Sequence, residues 1–233
     1  MIRVPPEANT EPLDSEAMSL AVDQLELGPI GTNTYLVRAS SDATEAVVVD
    51  PSGDAATIQD ALDARGARCT AILVTHGHFD HIVSLADLAE QTGAPVYAPA
   101  GERILIEEPA AFTPPGIDVR GSTPDVWLDG GETVDVAGIS FAVTLVPGHS
   151  PAHLAFYANG HLFSGDVLFA GSVGRTDLPG GDWGVLQASI ASFLDAYPSD
   201  TIVHPGHGRE TTLAAELGQN PFLVDLRATR AEQ

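Results

Sequence analysis

The sequence predicts an α/β fold of two mixed β-sheets packed on each other, with helices outside. Three observations carry this prediction. Short apolar and β-branched runs come in clusters, and amphipathic helical stretches separate the clusters. A chain of 233 residues is long enough for one sizeable core and short for two. No repeat, linker or composition break interrupts it after residue 19, so residues 19–233 are expected to form one domain. Residues 1–18 (MIRVPPEANTEPLDSEAM) are polar, acidic and proline-containing, and are expected to form a flexible tail.

Residues 20–27, 33–38 and 45–50 read as strands, the first two separated by Gly28-Pro29. Residues 53–65 form an amphipathic helical pattern closed by Gly66. The run CTAILVT (69–75) suits a buried strand and leads straight into HGHFDH. A helix is expected over 81–92, a strand over 95–99 and a short helix over 101–108, before a Pro/Gly-rich loop at 109–124. Strands follow at 133–136, 139–146, 153–158 and 161–165, the last two joined by a tight Asn159-Gly160 turn. A helix over 182–196, a strand over 201–204 and a helix over 210–218 complete the reading.

Composition narrows the function classes. No apolar run approaches the roughly 18 to 20 residues of a membrane helix, and the first residues lack the apolar core of a signal peptide. Cys69 is the only cysteine, which excludes an internal disulfide and points to a reducing cytoplasm. The formal net charge is -22, and all ten basic residues are arginine. Such a chain repels nucleic acid and anionic membranes, which argues against a nuclease and leaves a small molecule as the expected partner. Oligomeric state is left open.

The feature that carries chemistry is His76-Gly77-His78-Phe79-Asp80-His81. Four metal-competent side chains within six residues cannot all reach one ion comfortably. His76 and His78 can lie on one side of a turning loop, with Asp80 and His81 directed elsewhere, so two adjacent ions are the economical solution. Imidazole and carboxylate donors suit zinc, with iron or manganese as alternatives, rather than calcium or magnesium. Three more candidates stand after predicted strands, each beside a glycine: His149 in VPGHS, Asp166 in FSGDV and His207 in HPGHG. Asp166 taken alone also has a lesser reading as a turn-capping residue, which the company of the other donors disfavours.

The set HGHFDH, PGHS, SGDV and PGHG resembles the metallo-β-lactamase superfamily. Within it, GTNTYLV, GSVGRTDLPGGD and HPGHGRET resemble the glyoxalase II (hydroxyacylglutathione hydrolase) branch, over about residues 20 to 222. The resemblance implies an αββα sandwich with the site on one edge and two divalent metal ions. It places His76, His78 and His149 on the first metal, Asp80, His81 and His207 on the second, and Asp166 between them. It implies hydrolysis of S-(2-hydroxyacyl) thiol conjugates such as S-lactoylglutathione by a metal-bridging hydroxide, which Asp80 helps to orient. A thiolate leaves readily, since a thiol has a pKa near 8.5, so no dedicated acid is required. No GxSxG elbow is present, and Cys69 lies away from the motifs.

Arg175 falls where the branch uses a basic residue toward the thiol substrate, with Arg209 a weaker second anchor. Arg175 reads equally as half of a structural ion pair with Asp177 or Asp182. Asp50 reads either as the acceptor that holds a ligand histidine or as a turn residue before Pro51. His153 and His204 are expected to be structural, and His161 to lie at the surface. Only 26 residues follow His207, so much of the C-terminal glutathione grip of long glyoxalase II enzymes is expected to be missing. Three rivals share these motifs. One is an iron persulfide dioxygenase using His76, His149 and Asp166, another a lactonase, and the third a non-catalytic metal-binding protein.

Overall fold

A computed structural model describes residues 19–231, and the tail expected over residues 1–18 lies outside them. The strands are β1 (Ala21–Leu27), β2 (Thr32–Arg38), β3 (Glu45–Val49), β4 (Arg68–Leu73), β5 (Val96–Pro99), β6 (Val126–Leu128) and β7 (Thr133–Val136). They continue with β8 (Ile139–Leu145), β9 (Leu154–Ala158), β10 (His161–Gly165), β11 (Leu168–Phe169), β12 (Ser172–Val173), β13 (Ile202–Pro205) and β14 (Thr211–Thr212). The α-helices are α1 (Ala55–Asp63), α2 (Leu85–Thr92), α3 (Arg103–Glu107), α4 (Trp183–Ala196), α5 (Leu213–Gln219) and α6 (Val224–Ala231).

One six-stranded sheet runs in the order β1-β2-β3-β4-β5-β6, antiparallel up to β3 and parallel beyond it. The other runs β14-β13-β10-β9-β8-β7, with the β10–β13 pair parallel and the rest antiparallel. A small β11-β12 ribbon stands apart. Strand alternation builds three apolar layers from these two sheets. In β2, Tyr35 and Val37 face the second sheet while Leu36 faces the helices, and in β3 Val47 and Val49 alternate likewise with Ala46 and Val48. Phe156 and Phe163 fill the inter-sheet layer, while Ala155 and Leu162 turn outward to Leu186, Ile190 and Phe193 of α4. The outcome is the αββα sandwich, helices against both outer faces.

Caps fix where helices begin. Asp54 and Asp182 accept the N–H groups of Thr57 and Val185, both at 2.9 Å, and so start α1 and α4. The helix expected over 81–92 is shorter, a single 3-10 turn at Phe79–His81 followed by α2 from Leu85. Ser84 is tied by its N–H and hydroxyl to the Pro51 carbonyl (3.1 and 3.0 Å), and His81 is tied to Asp50, so the chain cannot wind there. In the segment 210–218, Thr211–Thr212 joins the second sheet as an edge strand, and Thr212 then caps α5 through Ala215 N–H. β6, β11, β12, β14 and α6 lie beyond the elements the residue pattern predicts, and most are two- and three-residue pieces selected by their pairing partners. No helix among the described residues is long and apolar enough to cross a membrane.

Candidate metal centre

Four loops leave the ends of β4, β8, β10 and β13 and meet at one edge of the sandwich, carrying His76 to His81, His149, Asp166 and His207. The structure groups His76, His78 and His149 in one cluster and Asp80, His81 and His207 in another; His76, His81 and Asp166 form a third. In each, the donor atoms lie within 4.8 Å of one another. His76 Nε2 and His149 Nε2 approach His78 Nδ1 at 3.0 and 2.9 Å. Asp166 lies between the two outer clusters, with Oδ1 3.4 Å from His81 Nε2 and Oδ2 3.5 Å from His149 Nε2 and 3.6 Å from His207 Nε2. Asp80 Oδ2 is 3.4 Å from His81 Nε2 and 3.3 Å from His207 Nε2.

Each imidazole is held by its other nitrogen or by its neighbours. Asp50, at φ 51°, spreads its carboxylate over the Thr75 N–H (2.7 Å), the Thr75 hydroxyl (2.8 Å) and His81 Nδ1 (2.9 Å). The Thr75 hydroxyl donates to Asp50, so at 3.0 Å it accepts from His76 Nδ1–H, leaving a lone pair on His76 Nε2. His149 Nδ1 meets the Arg175 carbonyl at 2.8 Å, which directs the His149 Nε2 lone pair inward. Thr32 donates to Asp80 Oδ2 at 2.7 Å. Gly206 touches this group so closely that a Cβ would come within 2.1 Å of Asp166 Oδ1. His153 accepts the Asp166 N–H at 3.1 Å and stacks on His76, a supporting position.

Electrostatics divide the site. Burial, then neighbouring imidazoles, push His76 well below its usual value, and burial brings His78 down to about 4. Burial would depress His81 as well, but Asp80, Asp166 and Asp50 override it and hold His81 well above its usual value. Burial would raise Asp166, yet His81 and its neighbours bring it down to about 2. Neutral nitrogens thus converge on one side, and carboxylates around a demand for positive charge on the other. His81 Nε2 and Asp166 Oδ1 are buried with no hydrogen-bond partner, a costly state for polar atoms unless a cation satisfies them. The donor set fits divalent metal ions of the kind bound by imidazole and carboxylate.

Glu102, absent from the sequence reading, clamps the metal-facing loops together. It is 1% exposed. One oxygen accepts Gly77 N–H at 2.6 Å, while the other accepts Ala152 N–H at 3.1 Å and the Ser150 hydroxyl. Arg175 borders the cavity above the site, and its guanidinium forks onto Asp177 at 2.6 and 2.7 Å. Asp182, its other suggested partner, caps α4 instead. Arg209 is exposed and is not among the residues lining the cavity. His161 is half-buried rather than at the surface, and stacks on buried His204 with ring centroids 5.2 Å apart. Cys69 is buried in β4, its thiol pushed up to about 11 by burial, which leaves it no nucleophilic role.

The family model described as the metallo-beta-lactamase superfamily matches residues 27–207, and the chain belongs to that superfamily, whose members are metallohydrolases. Two relatives illustrate its neighbourhood. The chain is 35% identical over 205 residues to the "Probable metallo-hydrolase YqgX" of Bacillus subtilis, covering 86% of this chain and 96% of that one. It is 34% identical over 191 residues to "Hydroxyacylglutathione hydrolase GloC" of Haemophilus influenzae, covering 78% and 89%. Among solved structures, BLEG-1 B3 metallo-beta-lactamase superposes with a TM-score of 0.82 at 40% identity, covering 88% of this chain and 100% of that one. TTHA1623 in a di-iron-bound form gives 0.77 at 38% identity, covering 87% and 100%. ETHE1 from Myxococcus xanthus gives 0.71 at 27%, covering 86% and 83%.

Proposed function

We propose that this metallohydrolase cleaves thioesters, converting S-(2-hydroxyacyl) thiol conjugates to a hydroxy acid and a free thiol. The observation that carries this is the pair of three-donor clusters with Asp166 between them, at the floor of a cavity of about 850 Å³. His76, His78 and His149 would hold one divalent ion and Asp80, His81 and His207 the other, with Asp166 contributing to both; zinc leads, and iron or manganese fit the same donors. Bound there, the two ions supply Lewis acidity that lowers the pKa of water and polarises an acyl carbonyl.

The chain's own residues prepare the reaction. Thr32 pins Asp80 Oδ2, so this carboxylate is positioned to orient the attacking water and hold its proton. Asp50 and the Arg175 carbonyl keep His81 and His149 in their tautomers. Phe79, Phe169 and Leu178 in the cavity wall exclude bulk water and strengthen the local electrostatics. The oxygen of water bonds to the acyl carbon, the C–S bond breaks, and its electron pair leaves with sulfur. A thiolate needs no strong acid, in keeping with a cavity wall that offers no lysine or tyrosine.

The GloC likeness supports the acyl-thiol class, while the BLEG-1 and ETHE1 likenesses define the competing chemistries. The test is metal analysis of the purified protein beside a panel of lactoyl thioesters, lactones, a β-lactam and a persulfide with oxygen monitoring. About two metal ions per chain and thioester cleavage are expected. Oxygen uptake with the persulfide and no thioester cleavage would replace the hydrolase with a dioxygenase.

A further inference from the structure

The thioesterase reading leaves the thiol half of the substrate unspecified, and the cavity outside the metal-facing residues bears on it. Ile30, Ile104 and Phe112 stand at its mouth about half exposed (55%, 50% and 51%), and Phe169, Leu178 and Pro179 continue the same apolar wall. Large apolar side chains left in water around a cavity mark surface to be covered by a ligand. Arg175 is the only cation among the described lining residues outside the imidazoles. Nε and one Nη of its guanidinium are already bonded to the Asp177 carboxylate, so a substrate carboxylate reaching the remaining N–H groups meets a cation whose charge is already paired. The fork is exposed on both sides, so the pair adds no directed positive field. Around this mouth lies a chain of formal net charge -22, which repels an approaching anion.

We propose that the thiol half of the substrate is uncharged and largely apolar. On this view, the preferred substrates are 2-hydroxyacyl thioesters of neutral thiols rather than of a carboxylate-bearing thiol such as glutathione. The inference rests on the thioesterase reading and adds the substrate class. Placing a carboxylate against Ile104 and Phe112 strips its hydration with no unpaired cation to compensate it, whereas an alkyl or amide chain there gains from burial.

The test uses the metal-loaded enzyme and three S-lactoyl conjugates of alkyl thiols: glutathione, glutathione diethyl ester and N-hexanoylcysteamine. The expected kcat/KM is highest for the cysteamine conjugate and at least about ten-fold lower for S-lactoylglutathione, with the diester between them. The handicap of S-lactoylglutathione should shrink as salt screens the chain's charge. Phe112→Ser should raise KM for the cysteamine conjugate several-fold and narrow its advantage. A readout free of turnover is thermal stabilisation by S-methylated thiols, where S-methyl-N-hexanoylcysteamine is expected to raise Tm more than S-methylglutathione at equal concentration. Equal or better turnover of S-lactoylglutathione would overturn the proposal, as would a ten-fold rise in its KM in Arg175→Ala, which would make Arg175 a carboxylate anchor. Cleavage of none of the three would refute the thioesterase reading itself, a result distinct from cleavage with the opposite preference.

Discussion

Glu102→Gln is the substitution whose effect the structure defines best. All three partners of this buried carboxylate are donors: the Gly77 N–H, the Ala152 N–H and the Ser150 hydroxyl. A glutamine offers one acceptor oxygen and one NH2. Turned one way, its NH2 faces the Ala152 N–H; turned the other, it faces the Gly77 N–H. The Ser150 hydroxyl can rotate to accept, but a backbone N–H cannot. One buried backbone donor is therefore left without an acceptor, and hydrogen bonds to a charge become neutral ones, at about 1.5–3 kcal/mol. Relief of a buried charge offsets part of this, since burial already pushes the Glu102 carboxyl upward. The net loss is about 1–2 kcal/mol, or a fall in Tm of roughly 2–8 °C at this chain length. Gly77 lies between His76 and His78, and Ser150 follows His149, so the same loss loosens the three-histidine cluster. Metal affinity there should fall about 10–100-fold, as with other groups that brace ligands. Competition against a calibrated chelator measures the affinity, and calorimetry of the metal-free protein measures the stability. Unchanged Tm and metal affinity in Glu102→Gln would refute the clamp.

Three other outcomes are expected. Asp80→Ala should lower kcat by on the order of thousands-fold while near-native circular dichroism persists, and near-native turnover would remove Asp80 from the mechanism. Stripping metal with a chelator should lower Tm by several degrees and abolish activity, with zinc, iron or manganese restoring both; an unmoved Tm would argue against ligation by these buried groups. His204 gives a pH dependence away from the metal-facing side chains. Burial, then His161, brings it down to about 3, below its unfolded value of about 6.5. The unfolded chain therefore binds one more proton between those pH values, so stability is full above 6.5 and is lost as pH falls through this window, at most about 1.4 kcal/mol per pH unit. Denaturant unfolding of the chelated protein at pH 6.5, 5.5 and 4.5 should show a shallower loss in His204→Phe than in wild type; equal slopes would discard this assignment.

Features that are local and periodic were legible in the order of residues alone. Apolar and β-branched runs in segments such as 33–38 and 45–50 dictated strands, and their clustering between helical stretches dictated two sheets under outer helices. HGHFDH was legible because four donors stand within six residues at the exit of an apolar strand, and His149, Asp166 and His207 because each ends a strand beside a glycine. The tertiary structure alone decided what crosses long separations. Glu102 sits in a stretch, GERILIEE, that reads as an ordinary charged helix, yet its partners are 25, 48 and 50 residues away. Thr32 reaches Asp80 across 48 residues, and the Arg175 backbone reaches His149 across 26. A hydrogen bond to a backbone group leaves no residue-type signature at its acceptor or donor, so Arg175's carbonyl and Gly77's N–H were invisible in the sequence. The same holds for β6 and β14, which are strands because β5 and β13 present unpaired edges beside them. The fate of Arg175 was likewise a matter of geometry, because its side chain could point to a ligand or to Asp177, and only the folded loop shows the bidentate fork onto Asp177.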